Sequence, residues 1–241
     1  MNKQIFLDFI EKYELDGLAE SVAWESSDGI LQARMVSEDK TLLGDVAVKG
    51  FDSTIFQGHK LGFWDTARLV KMFGVLDDSI NISLMMVGEK PIAINFSDEK
   101  GIKEKYALSD LVTIPTVPAL KYVPPEFEIT IKLTDDFANT FVKAKNALEV
   151  SAFTIYATPK KVYISFGQTN INTHNITFDV DGESSITSDG ISFDAEKFKR
   201  VLLANKGIEG QFRVSKEGIS TIEYKNDAYT AKYFLVATNK K

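Results

Sequence analysis

The sequence repeats one unit four times, an amphipathic helix followed by three strands, of which the first two are joined by a tight turn. In each helix apolar residues recur every three or four positions, as along Phe137, Phe141, Ala144 and Leu148, which indicates one buried face. The turn sequences also suit tight hairpins. They are Ser27-Asp28-Gly29, Gly88-Glu89-Lys90, Pro159-Lys160-Lys161 and Lys216-Glu217-Gly218. The pattern predicts an α+β fold with antiparallel sheets.

Helix starts and strands can be placed from the same pattern. Thr134, Asp65 and either Asp194 or Ser192 precede three of the helices, and their side-chain oxygens can cap a free backbone N–H. A strand that alternates apolar and polar residues, Ile129–Leu133, opens the second half. The strands that follow the hairpins are predicted over Leu42–Val48, Lys105–Leu108, Asn175–Val180 and Tyr229–Val236.

A proline-rich segment divides the chain almost in half. Four of the six prolines lie between Ile114 and Pro125, where they exclude a helix or a central strand. We therefore predict an N-terminal domain over residues 1–113, a connector over 114–125 and a C-terminal domain over 126–241. Each domain holds two helices on antiparallel sheets. The connector is more apolar than a solvated tether, so we expect it to lie against a surface.

Composition narrows the possible functions. The chain has no cysteine and only two histidines, which excludes disulfides, thiolate nucleophiles and cysteine-built zinc sites. Its net charge of −6 argues against coating DNA by bulk charge. Residues 1–125 hold 13 basic and 19 acidic side chains and residues 126–241 hold 15 of each, which sum to the 28 and 34 of the chain.

Catalytic signatures are missing from the sequence. There is no phosphate-binding glycine loop, no H-E-x-x-H zinc motif and no nucleophile turn. Asp77 and Asp78 could act as carboxylates in an enzyme, but Asp135 and Asp136 fit a helix N-terminus, where negative charge is favourable. We predict a protein that is not an enzyme and has no catalytic residue, metal site or cofactor.

The N-terminus does not look like a secretory signal, because Asp8 and Glu11 interrupt its apolar run. No segment approaches the roughly 18 apolar residues that span a bilayer. We expect a soluble protein with no membrane partner in the cytoplasm, which is the host cytoplasm if the protein is viral.

Lysine and arginine residues fall on the predicted outward faces of the helices. Most charged helix faces are simply solvated, but cations that lined one surface would attract a phosphate backbone without reading bases. The candidate DNA-binding residues are Lys3, Lys12, Arg68, Lys71, Lys143, Lys145, Lys197, Lys199 and Arg200.

The chain resembles the DNA sliding clamps, the class shared by phage DNA-polymerase accessory clamps and proliferating cell nuclear antigen. The resemblance covers nearly the whole chain and is carried by the paired helix–strand units, by the connector, by the helix at residues 193–203 and by the last strand. That strand, residues 230–238, reads T-A-K-Y-F-L-V-A-T and is similar to the K-Y-Y-L-A-P ending of the eukaryotic clamp. The short chain and simple connector favour the phage branch. The first helix departs from the family pattern, because it also carries Asp8, Glu11 and Glu14.

The resemblance implies a homotrimeric ring of six similar domains that encircles duplex DNA without sequence specificity. The ring would tether the replicative DNA polymerase as a processivity factor and would also bind a clamp loader. Neighbouring copies would pair through edge strands near Lys105–Leu111 and Asn175–Val180. Partner peptides would dock in a hydrophobic pocket beneath the connector. The matching residues are Leu120, Tyr122, Val123, Tyr233, Leu235 and Val236.

The connector residues could cover the protein's own surface instead of a pocket.

Two other functions stay open at the level of sequence. A phage structural or assembly protein built from β-rich domains would also lack catalytic motifs. An enzyme that uses Asp77 and Asp78 would need a concave pocket around those side chains.

Overall fold

The structure is a computed structural model that describes residues 1–56, 58–117, 126–167 and 174–238. Among these residues, four helices and 16 strands follow one another along the chain. Each helix leads into at least three strands, so the predicted α+β fold with four repeats of one unit is confirmed. No helix of the described ranges has the length and apolar character needed to cross a membrane.

The helices begin where the sequence predicts their caps. Asp65 Oδ1 accepts a hydrogen bond from Arg68 N at 2.8 Å, and Thr134 Oγ1 accepts one from Phe137 N at 3.2 Å. Asp194, rather than Ser192, caps the last helix. These bonds satisfy backbone donors that have no partner within the first turn. The helices are α1 (Gln4–Glu14), α2 (Thr66–Phe73), α3 (Asp135–Leu148) and α4 (Ala195–Ala204).

The chain forms two compact units. Unit 1 comprises Met1–Glu38, Gly44–Pro118 and Asp227–Ala231, and unit 2 comprises Asp39–Leu43, Ala119–Asn226 and Lys232–Lys241. The units therefore differ from a simple cut at the connector. Backbone pairing explains the difference: Lys49 N donates to Ala228 O at 2.8 Å within unit 1, and Val236 N donates to Thr41 O at 3.0 Å within unit 2.

Unit 1 contains α1 and α2, which contact each other, six complete strands and all but the first two residues of a seventh, β3 (Leu42–Lys49). The strands are β1 (Val22–Ser27), β2 (Ile30–Val36), β3 (Leu42–Lys49), β4 (Leu61–Phe63), β5 (Ile80–Val87), β6 (Lys90–Asp98) and β7 (Lys103–Ala107). Within this unit the strand orders are β3-β2-β1-β4 and β5-β6-β7. β7 is an edge strand, as predicted, although it ends at Ala107.

Unit 2 contains α3 and α4, which also contact each other, eight complete strands and the last five residues of a ninth, β16 (Tyr229–Val236). The strands are β8 (Ile129–Leu133), β9 (Ala152–Thr158), β10 (Lys161–Phe166), β11 (Ile176–Val180), β12 (Gly182–Ser184), β13 (Ser188–Asp194), β14 (Gly210–Val214), β15 (Ile219–Lys225) and β16 (Tyr229–Val236). The orders are β12-β8-β14-β15-β16 and β11-β10-β9-β13. β11 lies at an edge, as predicted.

Aromatic side chains fill the core of unit 1. Trp24 is fully buried, and its ring centroid lies 4.1 Å from that of Phe63, 5.4 Å from Phe9 and 5.8 Å from Phe6. The indole Nε1 donates a hydrogen bond to the Tyr13 hydroxyl at 3.1 Å, so the one polar atom of the indole is satisfied. Full burial of one such side chain stabilises the fold by about 1.5–3 kcal/mol.

Unit 2 uses phenylalanines in the same way. Phe153 lies 4.9 Å from Phe141 of α3 and 4.9 Å from Phe198 of α4, measured between ring centroids. Phe198 continues to Phe212 of β14 at 4.6 Å. The apolar stripes of both helices therefore face inward, which leaves their charged sides toward solvent or toward each other.

Candidate nucleic-acid interface

Three predicted cations of unit 2 gather around one carboxylate. Glu196, in the first turn of α4, receives Lys199 Nζ at 2.8 Å and Arg200 Nε at 3.3 Å. Lys145 of α3 forms the third ion pair, with Glu196 Oε2. We call these four residues the α3–α4 cluster. It carries three positive charges and one negative charge, and it joins the two helices.

The electrostatics of the α3–α4 cluster keep Glu196 ionised. Burial alone would raise the pKa of this carboxyl, but hydrogen bonds from Lys145, Lys199 and Arg200 outweigh that effect and lower the pKa to about 2. The carboxylate therefore holds its charge throughout the neutral range. The cations around it are a quarter exposed or less, with side-chain exposures of 16%, 19% and 24%.

Lys197 and Lys143 differ from this cluster and from each other. Lys197 Nζ donates hydrogen bonds to Asp39 and to the Thr41 hydroxyl, and it lies 3.9 Å from Asp194. The Lys197 ammonium is therefore paired with carboxylates of unit 2. Lys143 is exposed on α3, and no carboxylate of the described residues forms an ion pair with it. Lys143 is the predicted cation of this unit that is most open to a phosphate.

In unit 1 the exposed predicted cations lie on α2. Arg68 is exposed, and its Nε lies 3.4 Å from Asp65 Oδ2, one turn earlier. Lys71 is exposed on the next turn. Tyr106 fixes the start of the helix, because its hydroxyl accepts a hydrogen bond from Asp65 N at 3.1 Å and donates one to Asp65 O at 3.0 Å.

The two predicted cations at α1 are engaged within unit 1. Lys3 Nζ bonds to Leu76 O and lies 3.9 Å from Asp78. Lys12 is buried, and its ammonium lies over the Tyr229 ring. The exposed charges of α1 are therefore those of Asp8 and Glu11.

Asp77, a candidate carboxylate for an enzyme, and Asp135, expected at a helix N-terminus, both have structural partners. Asp77 Oδ1 accepts a hydrogen bond from Lys100 Nζ at 2.6 Å, and Asp135 Oδ1 accepts one from Gly207 N at 2.8 Å. Within residues 1–56, 58–117, 126–167 and 174–238, no group of three or more His, Asp or Glu side chains could hold a metal ion. These carboxylates are thus accounted for by local contacts.

The predicted peptide site is only partly described. Leu120, Tyr122 and Val123 lie outside the described residues. Tyr233 and Leu235 are fully buried, and the Tyr233 hydroxyl accepts a hydrogen bond from Asn205 Nδ2 at 3.0 Å. Their side chains belong to the core of unit 2, which corrects the expectation that they line the surface.

Alternation along β16 places Phe234 on the same side of the strand as Val236. Val236 is 45% exposed, whereas Phe234, two positions earlier, is nearly buried at 9% exposure. The last four residues of the strand, Tyr233–Val236, are all apolar, so their sequence alone does not show which of them face the core.

Unit 1 has a cavity at the start of the connector. Its volume is about 200 Å³. β1 and β2 form its floor with Glu25, Gln32 and Arg34, and residues 114–117 form a more apolar side. Asp45 accepts hydrogen bonds from Gln32 Nε2 at 2.6 Å and from Arg34 Nε at 3.2 Å, so the floor is a fixed polar surface.

Comparison with known proteins identifies the fold. No protein-family model and no curated protein sequence matches the chain. Among solved structures, the proliferating cellular nuclear antigen of Entamoeba histolytica matches with a TM-score of 0.75 and 16% identity over 99% of this chain and 96% of that one.

Two further PCNA structures match equally well. A. fulgidus PCNA, solved with the C-terminal region of FEN-1 bound, has a TM-score of 0.75 and 13% identity over 100% of this chain and 98% of its own. Thermococcus kodakaraensis PCNA has a TM-score of 0.75 and 14% identity over 99% and 98%. The chain has the fold of the PCNA-like sliding clamps.

Proposed function

We propose that this protein is a sliding clamp that encircles duplex DNA and tethers the replicative DNA polymerase as a processivity factor. The observation that carries the proposal is the match of the whole chain, both units included, to PCNA structures at a TM-score of 0.75. A clamp needs no chemistry of its own, because a tethered polymerase gains from effective concentration alone.

The charges of the helices support contact with DNA phosphates. Lys143, Arg68 and Lys71 are exposed, and the α3–α4 cluster adds a net charge of two positive units. Contacts of this kind follow the phosphate backbone and read no bases, which suits movement along DNA. In this proposal Lys3 and Lys12 support α1 and do not touch DNA.

The edge strands support self-association. β7 and β11 end their sheets within the described residues, and an open sheet edge presents unpaired backbone N–H and C=O groups. Pairing of β7 of one copy with β11 of the next would satisfy both edges. We propose a closed homotrimer, opened by a clamp loader of the host or of a phage.

The partner surface is proposed around Val236 and Phe234. The exposed side chain of Val236, with the edge of Phe234 beside it, would receive an apolar side chain of a polymerase or clamp-loader peptide, and the predicted connector residues Leu120, Tyr122 and Val123 would complete the pocket. This assignment keeps the predicted position beneath the connector and replaces the buried Tyr233 and Leu235.

A loading experiment tests the central proposal. The protein is crosslinked to trap weak rings, its mass is measured, and its retention is compared on nicked circular DNA and on the same DNA cut once. Encirclement predicts retention on the circle and loss from the free ends of the linear form. A strictly monomeric protein, or equal retention on both DNAs, contradicts the proposal and favours the structural or assembly protein.

A substitution at the partner surface tests the tether. Val236→Asp should reduce polymerase processivity without altering ring mass, because it places a charge in the apolar pocket. Val75→Asp changes another exposed valine, 60% exposed after α2, and should have no effect. Loss of processivity in both variants, or in neither, contradicts the proposed partner surface.

A further inference from the structure

The α3–α4 cluster has one feature that a simple DNA-binding surface would lack. Its three cations do not point freely to solvent but converge on the carboxylate of Glu196, from both helices. A phosphate that approaches Lys145, Lys199 or Arg200 must therefore compete with a charge already in place. Because Lys199 and Arg200 lie three and four residues after Glu196 on α4, helix geometry keeps the pairing available.

We propose that Glu196 limits the affinity of the α3–α4 face for DNA phosphates and so keeps its contacts with DNA short-lived. The inference rests on the proposed function, since it assumes that this face meets DNA. It assigns Glu196 a positioning role, because the residue acts through the three cations and does not itself bind DNA.

Two anions, the Glu196 carboxylate and a DNA phosphate, compete for the same donors on this face. The nearby carboxylate holds each ammonium or guanidinium and offsets part of its charge. Phosphate binding then exchanges one ion pair for another, and the net gain is smaller than for a free cation such as Lys143. A weakly held phosphate is released sooner, which favours movement along the duplex over residence at one place.

Unit 2 also contains a second ion-paired carboxylate, on a strand, that serves as a matched control for Glu196. Glu223 of β15 accepts Arg213 Nη2 at 2.8 Å and Lys232 Nζ at 2.7 Å, and hydrogen bonds from these cations hold its pKa below the ordinary value against the effect of burial. Glu223 therefore resembles Glu196 in charge and in partners, but it lies on a strand and not on a helix. Glu196→Gln and Glu223→Gln change the net charge equally.

The experiment measures association with a short duplex as a function of salt concentration, beginning at low ionic strength. Glu196→Gln should bind about 1.5- to 5-fold more tightly for each cation released. Its log–log salt slope should steepen by about 0.9 for each additional phosphate that the released cations neutralise. Glu223→Gln should match the wild-type protein in both quantities.

Further variants identify the source of the tighter binding. Replacing Lys145, Lys199 and Arg200 with glutamine in the Glu196→Gln background should abolish it, because all three released cations are then absent. Glu196→Asp keeps the charge but withdraws the carboxylate from Lys145, so it should tighten binding less than Glu196→Gln does. This variant also tests the inference if Glu196→Gln does not fold.

The outcomes separate the inference from the proposed function. Equally tighter binding by Glu196→Gln and Glu223→Gln indicates an effect of net charge alone and overturns the inference. Unchanged or weaker binding by Glu196→Gln, or unchanged binding by Glu196→Asp where that is the variant that folds, also overturns it while the clamp proposal stands. If the wild-type protein does not associate with duplex even at low salt, the proposed DNA contact fails and the inference fails with it.

Discussion

Lys12 Nζ lies 4.2 Å from the centroid of the Tyr229 ring, in a site where the lysine side chain is almost fully covered. Burial lowers the pKa of Lys12, although Asp8 and Glu11 act in the opposite direction. A lysine on a helix that should contact DNA is thus a component of the interior of unit 1. This contact links the first helix to the beginning of the last strand.

Lys12→Met should raise the free energy of unfolding at neutral pH by about 1 kcal/mol, because methionine fills the site without a buried charge. The folded-state pKa of Lys12 is below its unfolded value, so the wild-type protein recovers stability as pH rises between those two values. The difference between the proteins should therefore shrink toward pH 10 in urea unfolding. A less stable variant at pH 7 would show that the contact with Tyr229 outweighs desolvation.

Lys143→Glu should weaken association with duplex DNA and flatten the log–log salt slope by about 0.9 for the one phosphate that is no longer neutralised. The reason is that Lys143 is exposed on α3 and has no ion pair among the described residues. Salt titration with a short duplex measures both quantities. Lys225→Glu, at the end of β15, makes the same charge change on a strand, and an equal effect there would refute a role specific to the helix face.

Glu196 should make the stability of unit 2 sensitive to acid. Its pKa is about 2 in the folded protein against an ordinary 4.5, so its contribution is complete above pH 4.5 and is lost as the pH falls toward 2. After screening by solvent we expect about 1 kcal/mol. Urea unfolding should show that the wild-type advantage over Glu196→Gln is constant above pH 5 and disappears near pH 2. A constant difference across this range would contradict the assigned ion pairs.

Asp65→Ala should reduce the free energy of unfolding by about 1 kcal/mol, because the hydrogen bond from Arg68 N to Asp65 Oδ1 is lost from the first turn of α2. Asp65→Asn keeps an acceptor at the same place and should stay close to the wild-type protein. Thermal unfolding distinguishes the two variants. Equal losses would indicate that the ion pair with Arg68, and not the cap, stabilises the helix.

Local chemistry made much of the fold predictable from sequence. The caps at Asp65 and Thr134 fix helix starts through bonds to residues three positions away, and the hairpin turns depend on two or three adjacent residues. β4 was not predicted because it has only three residues, all buried, which is too short for an alternating pattern. Its Gly62 is needed because a Cβ there would lie 2.7 Å from Ser109 O, a contact that the local sequence does not indicate. β13 was missed because a bulge and Gly190 at φ +124° interrupt its alternation.

The candidate interface was less predictable, because periodicity tells which face of a helix is polar and not what lies against it. Lys12 is buried by Tyr229, which is distant in sequence, and Lys145 is engaged by Glu196 of another helix. Lys143 is exposed, so helix periodicity alone is enough to place its side chain on the surface. Tertiary contacts therefore decide which cations remain available for a phosphate.

β7 and β11 are different edge strands, so a pairing between copies would join unlike edges. If they join between copies, each chain added to a row covers one edge and exposes another of the same kind, so growth has no built-in end. Only curvature that returns the last copy to the first leaves no β7 or β11 edge unpaired. A substitution that slightly straightened the joint between neighbours should therefore convert a closed assembly into a filament.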